Sequence, residues 1–315
     1  MANTFYTAEQ VAKVAVAMAT QDSYLGALVN RNFENDLLGG GGKGRTVNVR
    51  IPTALIARSR GIDDVTTNII LDSITESTVP VTLGEHLYNA VGLSEGDLTL
   101  NLEDFSKQVL KPQVEAVVDA VEEEVADALR GITLDTSIAW DEANPVKTFT
   151  AIRKRLRDNG VPQTGLNVVV GTNVYAALLD AKAITDASES GSTAALRDGN
   201  VGNLRGFTIV ESTRVDEDEI MAFHRDAFTL AVRAPIVPAG ASFGQSVSSG
   251  GYSLRYLRDY DVTKTMDRSM VSTFAGVAAM PLYKVERDYN AKTASVVEVP
   301  GGAAFRMSIG DTEPA

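Results

Sequence analysis

The stretch LEDFSKQVLKPQVEAVVDAVEEEVADALR, residues 102–130, decides how the rest of the chain is read. Leu102, Phe105, Val109, Val114, Val117, Val118, Val121, Val125 and Leu129 recur at spacings near three and four, the apolar stripe of one long amphipathic helix. Glu115, Asp119, Glu122, Glu123 and Asp127 fall on the opposite face, where solvent or a basic partner would meet them. Asn101 suits the N-cap, Glu103 and Asp104 the positive end of the helix, and Arg130 with Gly131 its negative end and stop. Pro112 removes one backbone donor, so it should kink the helix unless the helix begins near Lys111. Unbroken, the segment would be roughly 40 Å long at 1.5 Å per residue, a spine on which other elements can be laid.

Upstream, Thr7-Ala8-Glu9-Gln10 forms a capping box that opens a helix with Val11, Val14, Ala15 and Met18 on its apolar face. A shorter helical piece follows at Tyr24, Leu25, Leu28 and Val29. The glycine run at 37–44 is a hinge, because a phosphate loop would need glycine and Ser or Thr where Leu37 and Gly44 stand. Residues 45–51, RTVNVRI, alternate as a strand with Val47, Val49 and Ile51 on one face, and Pro52 closes it. Residues 74–82 form the return strand. The intervening ARSRGIDDVTTNIILDS is too long for a tight turn and too poor in apolar residues to build a core. Such a two-stranded arm is marginal alone and needs another surface. Leu83 to Leu93 leads from the arm to the spine.

Downstream, Pro145 and Val146 begin a helix with Phe149, Ile152 and Leu156 inward, stopped by Asn159-Gly160. Leu166 to Val170 is a buried strand, and Thr172 caps a helix carrying Val174, Ala177 and Leu178. Residues 185–203 are a polar loop. Strands follow at Phe207 to Val210, Ile220 to Phe223 and Phe228 to Val232, and strand patterning returns over 252–280, where Gly276 marks close backbone packing. Two weaker strands lie at Leu282 to Glu286 and Ala294 to Val299, and disorder is expected after Ser308.

The 315 residues suffice for two domains, and the net charge of −12 disfavours tight binding to phosphate backbones. The basic run Arg153, Lys154, Arg155 and Arg157 is best explained as a solvated helix face. No secretory signal or membrane-length apolar run is visible, so a cytosolic product is expected. With no cysteine, disulfides, thiolate ligands and a cysteine nucleophile are all excluded. The two histidines, His86 and His224, are far apart in sequence, and no HExxH, nucleophile elbow or dinucleotide fingerprint occurs. The acidic run Asp216 to Glu219 offers hard oxygens for a cation but is more simply a solvated turn. No catalytic residue, metal ligand or cofactor is assigned.

One order of features remains: a helical arm, a glycine hinge, a long hairpin without a core, an acidic spine helix and an inserted α+β block. Asn32-Phe33-Glu34, the run Gly44 to Arg50 with Pro52, the spine, Asn159-Gly160-Val161-Pro162, Gly206-Phe207 and Arg258-Asp259-Tyr260-Asp261 carry that order over about residues 3–280. In this order the chain resembles the major capsid proteins of tailed double-stranded DNA phages, of Hong Kong 97-type fold, especially the coat-protein branch of actinobacterial phages. The resemblance implies an α+β fold with an N-terminal arm (1–44), an extended loop (45–82), a peripheral domain (83–140 and 235–280) holding the spine, an axial domain (141–234) and a C-terminal extension (281–315). It implies a structural subunit rather than an enzyme, assembled into hexamers and pentamers that form a DNA-filled shell, in a virion made in the bacterial cytoplasm. Arg58, Arg60, Asp63, Asp64, Glu122, Glu123 and Glu124 are the expected assembly contacts. A portal, a separate scaffolding protein and a decoration protein are the expected partners, with no specific nucleic-acid binding and no membrane. An encapsulin-like cellular shell of the same fold, or an enzyme of unknown class, are the other readings.

Some relatives in that family cross-link a lysine of the extended loop to a neighbour's asparagine. This chain has no lysine between Lys43 and Lys107, and the guanidinium groups of Arg58 and Arg60 stay protonated and cannot replace the amine. Boiled mature particles should therefore run as a single band near 33.5 kDa in denaturing electrophoresis. A ladder of covalent multimers would refute this.

Overall fold

The computed structural model describes residues 8–22, 24–31, 45–51, 55–66, 68–72, 74, 77–96, 105–181, 202–241, 243–249, 252–290, 293–299 and 301–310. Thr7 of the capping box, Asn32-Phe33-Glu34, the glycine run at 37–44, Asn101 to Asp104, residues 185–201 of the polar loop and the last five residues lie outside them, as do the expectations placed there. The chain forms two compact units. The first contains Met1–Val47, Val81–Leu129 and Phe228–Ala278, and the second contains Asn48–Pro80, Arg130–Ala227 and Ala279–Ala315.

In the first unit a five-stranded sheet carries the core, and its β3-β11-β10-β9 path is antiparallel throughout. Its strands are β3 (Glu85–Ser94), β8 (Phe228–Arg233), β9 (Phe243–Ser249), β10 (Tyr252–Asp261) and β11 (Met266–Ala279). The order is β3-β11-β10-β9, and β8 also pairs with β11. β3 occupies the stretch that the sequence leaves as a connection to the spine; its burial alternates along the strand, with Leu87, Asn89, Val91 and Leu93 on the more buried face. Gly276 on β11 is the close approach expected of it: a Cβ there would lie 2.2 Å from the Thr82 carbonyl oxygen. Helix α1 (Ala8–Asp22) packs on β9 and β10. It buries Ala12, Ala15 and Val16 and leaves Val14 exposed, so its inner face is rotated from the one expected, and small side chains set that close approach.

The spine is helix α3 (Lys111–Arg130), preceded by a π-helical turn at Ser106–Leu110. Pro112 accounts for the change of winding, because it has no N–H to bond the carbonyl one α-turn earlier. Val114, Val117, Val118, Val121, Val125 and Leu129 are buried as the spacing predicts. Two polar side chains are buried with them. Gln113 donates to the Ser269 carbonyl at 2.9 Å and accepts from Ser269 Oγ at 2.7 Å, tying the helix to β11. Glu122, expected on the solvated face, is only 1% exposed. Its carboxylate accepts the backbone N–H groups of Leu25 at 2.7 Å and Gly26 at 3.0 Å, and the Tyr252 hydroxyl at 3.3 Å. Leu25 and Gly26 open the short helix α2 (Leu25–Leu28), whose N-cap Tyr24 supplies no side-chain acceptor. The spine carboxylate thus satisfies donors that a helix start cannot satisfy itself. Past α2, Asn30 bridges to Thr229 on β8, and Arg31 stacks its guanidinium over the Tyr252 ring at 4.4 Å.

In the second unit the sheet order is β14-β7-β4-β6-β5. The strands are β4 (Leu166–Val170), β5 (Asn203–Leu204), β6 (Phe207–Glu211), β7 (Glu219–His224) and β14 (Ala304–Ser308). β4 pairs in parallel with β6 and antiparallel with β7, and all five of its residues are buried. Helix α4 (Pro145–Asp158) buries Phe149, Ile152 and Leu156 as expected and stops at Asn159-Gly160. Gly160 has φ +87°, with Gly160 N–H bonding Arg157 O and Val161 N–H bonding Leu156 O, the pattern of a Schellman stop. Helix α5 (Thr172–Asp180) begins one residue earlier than expected, with Gly171 rather than Thr172 as N-cap. A side chain at Gly171 would collide with the Asp216 carbonyl oxygen, which lies 2.1 Å from its ideal Cβ position.

The sequence reading gives no strand at 304–308. β14 nevertheless completes this sheet, and its Arg306 pairs with Glu219 on β7. Glu219 is therefore buried, not part of a solvated acidic turn as expected. A second hairpin, β12 (Tyr283–Asp288) with β13 (Thr293–Glu298), lies between them in sequence. The arm strands β1 (Thr46–Ile51) and β2 (Ser77–Thr82) pair with each other as a separate two-stranded ribbon.

Removing Glu122 strands two buried backbone donors, while Glu123 next to it is half-exposed. Glu122→Ala should cost about 3 kcal/mol of unfolding free energy, and Glu123→Ala under about 0.5 kcal/mol. Urea denaturation of the purified protein measures both, and equal small losses would contradict the anchor.

Candidate functional site

Between Ile51 and Ser77 the described residues have no regular secondary structure, and most of them are exposed. Ile62 and Val65 are essentially fully exposed, and Ile69, Ile70, Leu71 and Ile74 are each well over half exposed. Of the large aliphatic side chains here only Ile56 is buried, and Leu55 is nearly half exposed. The loop is nonetheless shaped by local bonds. Asp64 N–H bonds the Gly61 carbonyl at 3.2 Å, and the Asp64 carboxylate accepts the Thr66 N–H and hydroxyl, both at 2.8 Å. Arg58 pairs with Asp72 at 2.6 Å across the loop, and the Arg287 guanidinium of β12 donates to the Leu55 carbonyl at 3.1 Å. These contacts fix the backbone while the apolar surface stays in water. So many exposed aliphatic side chains in one loop are the feature expected of an interaction site.

The expected contact residues divide into three groups. Arg58 and Asp64 are engaged within the loop, whereas Asp63 beside Ile62 is exposed. Arg60 is also exposed at the apex. On the spine, Glu122 is taken up inside the subunit, which leaves Glu123 and Glu124 half-exposed. Burial, then the nearby charges of Glu85 and Asp127, hold the Glu124 carboxyl above its ordinary range.

At the root of the arm a cleft of about 200 Å³ is lined by Arg45, Leu83, Gly84, Glu85, His86, Arg233, Ala234, Pro235, Ile236 and Phe274. Partial burial, and then the Arg255 charge, pull the His86 imidazole below its usual value, and its ring meets Phe274 edge-on at 5.0 Å. Arg255 is buried and donates to Ser272 Oγ at 3.2 Å and the Ile236 carbonyl at 3.0 Å, both neutral acceptors.

The Arg258-Asp259-Tyr260-Asp261 run forms ion pairs across the β10–β11 ladder. Arg258 pairs with Asp267 and Arg268 with Asp259, and the Tyr260 hydroxyl donates to Glu95 at 2.6 Å. That bond to Glu95 holds the Tyr260 hydroxyl proton on, raising its pKa. The basic run on α4 is satisfied internally: Lys154 pairs with Asp158, Arg155 with Asp135, and Arg157 donates to the Val161 carbonyl. His86 lies on β3 and His224 ends β7. Among the described residues no group of three or more His, Asp or Glu is placed to hold a metal ion, and no helix is long and apolar enough to cross a membrane.

No family model matches the sequence, and no curated protein matches it. Solved structures do match. A chain from Mycobacterium phage Che8 superposes with a TM-score of 0.62 at 18% identity, over 98% of this chain and 95% of that one. The capsid of cyanophage P-SCSP1u gives 0.55 at 11% identity, over 84% of each chain. The mature capsid of bacteriophage PhiM1 gives 0.52 at 14% identity, over 86% of this chain and 84% of that one. The fold is therefore that of viral shell subunits. Within that class it is the Hong Kong 97-type capsid fold, spanning nearly the whole chain.

Glu124 gives this surface a pH dependence. A carboxyl whose pKa is raised on folding costs stability once it ionises, so the cost is absent below the unfolded value and appears as pH rises through the folded one. Glu124→Gln should therefore stabilise the subunit at pH 7 by about 0.5 kcal/mol or less and leave it unchanged near pH 4. Thermal melts at the two pH values check the sign, and a loss of stability at pH 7 would reverse it.

Proposed function

We propose that this chain is the major capsid protein of a tailed phage, a structural subunit that joins other copies as hexamers and pentamers into an icosahedral head around packaged double-stranded DNA. One observation carries this reading. The loop of residues 55–74 is held in shape by its own polar bonds yet exposes Ile62, Val65, Ile69, Ile70, Leu71 and Ile74. A subunit that built this surface for itself would bury it. Leaving it exposed has a physical purpose when a neighbouring subunit covers it. The fold supports the reading, since it is shared with the cyanophage and PhiM1 capsid chains.

The acidic balance supports it as well. At a net charge of −12 the shell would make few phosphate-neutralising contacts, so packaged DNA would be enclosed without being gripped. In this reading residues 45–82 are the extended loop, 83–140 with 235–280 the peripheral domain, and 141–234 the axial domain. Arg60, Asp63, Glu123 and Glu124 are its candidate intersubunit contacts, its place is the virion, and scaffolding and portal proteins are its further partners.

Deleting residues 54–72 tests the reading, because the loop contributes only Ile56 to buried apolar surface among its described residues. The deletion variant should keep the circular dichroism of the parent and sediment as free subunits under conditions where the parent forms shells. Normal shells from the variant would overturn the proposal, and so would a parent chain that forms no particles at any concentration.

A further inference from the structure

The cleft lined by Arg45, His86, Arg233 and Phe274 gathers positive charge in a chain whose net charge is −12. Neither the Arg45 nor the Arg233 guanidinium has an ion-pair or hydrogen-bond partner among the described residues. A third guanidinium stands beside them. Strand register opposes Arg255 to Ser272 and His86 to Phe274, and Ser272 and Phe274 are two apart on β11, so all four side chains share one face of the sheet. Arg255 is only 8% exposed, and its bonds to Ser272 Oγ and to the carbonyl of Ile236 in the cleft wall reach neutral oxygens. A guanidinium so far out of water is costly without an anion. The one acid of the cleft is Glu85. Alternation places it with Leu87 and Asn89 on the opposite face of β3, it pairs with no arginine among the described residues, and its charge acts on Glu124 of the spine. His86, kept neutral near pH 7 by partial burial and the Arg255 charge, adds ring nitrogens rather than another charge. Leu83, Pro235, Ile236 and Phe274 make the rest of the wall apolar, and Ile236 is 82% exposed.

We infer that this cleft binds a small phosphomonoester carrying one flat apolar group, with Arg45 and Arg233 holding the phosphate and Phe274 and Ile236 meeting the ring. A planar guanidinium offers paired donors that match the oxygens of a phosphate or carboxylate. Charge decides between the two. A phosphomonoester is close to doubly charged near neutral pH and has three terminal oxygens, enough for two arginine forks and a nitrogen of His86. A carboxylate has two oxygens and a single charge, which would leave the field of the three arginines largely uncompensated. Size limits the other half of the ligand. The cleft holds about 200 Å³, below the ~300–1,000 Å³ of sites for larger ligands, so it has room for one ring and not for a nucleoside. Every residue of the site belongs to the first unit, and the inference does not depend on the shell-subunit reading.

Calorimetric titration of the purified protein at low salt tests this with phenyl phosphate, inorganic phosphate and benzoate as probes. Phenyl phosphate should bind at least about tenfold more tightly than either of the others, since it alone supplies both the dianion and the ring. Inorganic phosphate bound as tightly would mean an adventitious ion only, and benzoate bound as tightly would remove the argument for a phosphate. Arg45→Ala and Arg233→Gln should each weaken phenyl phosphate by about tenfold while circular dichroism stays that of the parent. Ile236→Ser should weaken phenyl phosphate and leave inorganic phosphate as it was. Arg45 and Ile236 are exposed, so folding is not at stake in those two variants. No heat from the parent with millimolar phenyl phosphate would overturn the inference, and so would an affinity that none of the three substitutions moves. Neither result bears on whether the chain forms shells, which the loop deletion tests separately.

Discussion

Burial of more than half the circumference of the spine helix is the constraint on which the first unit depends. Seven aliphatic side chains of α3, Ala126 among them, are buried, and the polar Gln113 and Glu122 are buried with them. A buried carboxylate is tolerated only when donors replace the water it has lost. Glu122 finds them in the first turn of α2 and in Tyr252, so the helix, the N-terminal segment and β10 are tied at one group. Gln113, nine residues earlier and half a rotation away, performs the corresponding task towards β11. The apolar stripe supplies the driving force, and the two polar side chains fix which backbone groups the helix must meet.

The second unit solves a similar problem with a different pair. Arg306 of the last strand meets Glu219 on β7 and also donates to the carbonyls of Arg130 and Ile132. A guanidinium serves here because its several donors reach a carboxylate and two backbone oxygens at once. The strand that closes the sheet in space is thus the last one in sequence. The arm behaves in the opposite way. Its bonds, from Asp64 to Thr66 and from Arg58 to Asp72, are local, and they organise a backbone without covering its aliphatic side chains.

Periodicity determined the elements whose environment is set by a single face. The α3 stripe, α4 with its glycine stop, the buried β4, the paired β1 and β2 and the tight approach at Gly276 all stand where the residue pattern puts them. The exposed loop was legible too, because polar and apolar residues mixed without period over 57–73 cannot form a packed face. The order of these features carried the fold, as the likeness to viral shell subunits over nearly the whole chain bears out.

Tertiary structure alone decided the rest, and in each instance the reason is a partner distant in sequence. A glutamate on the polar side of a helix pattern is assigned to water unless donors are known to wait for it, and those of Glu122 lie 97 and 96 residues away. Glu219 is buried because Arg306 arrives from 87 positions later. β3 and β14 are paired with β11 and β7, whose residues lie far away in sequence. The cleft at the root of the arm is formed by three separated stretches, 45, 83–86 and 233–236, with Phe274. No local pattern encodes such a site, since its charge and shape arise only when those stretches meet.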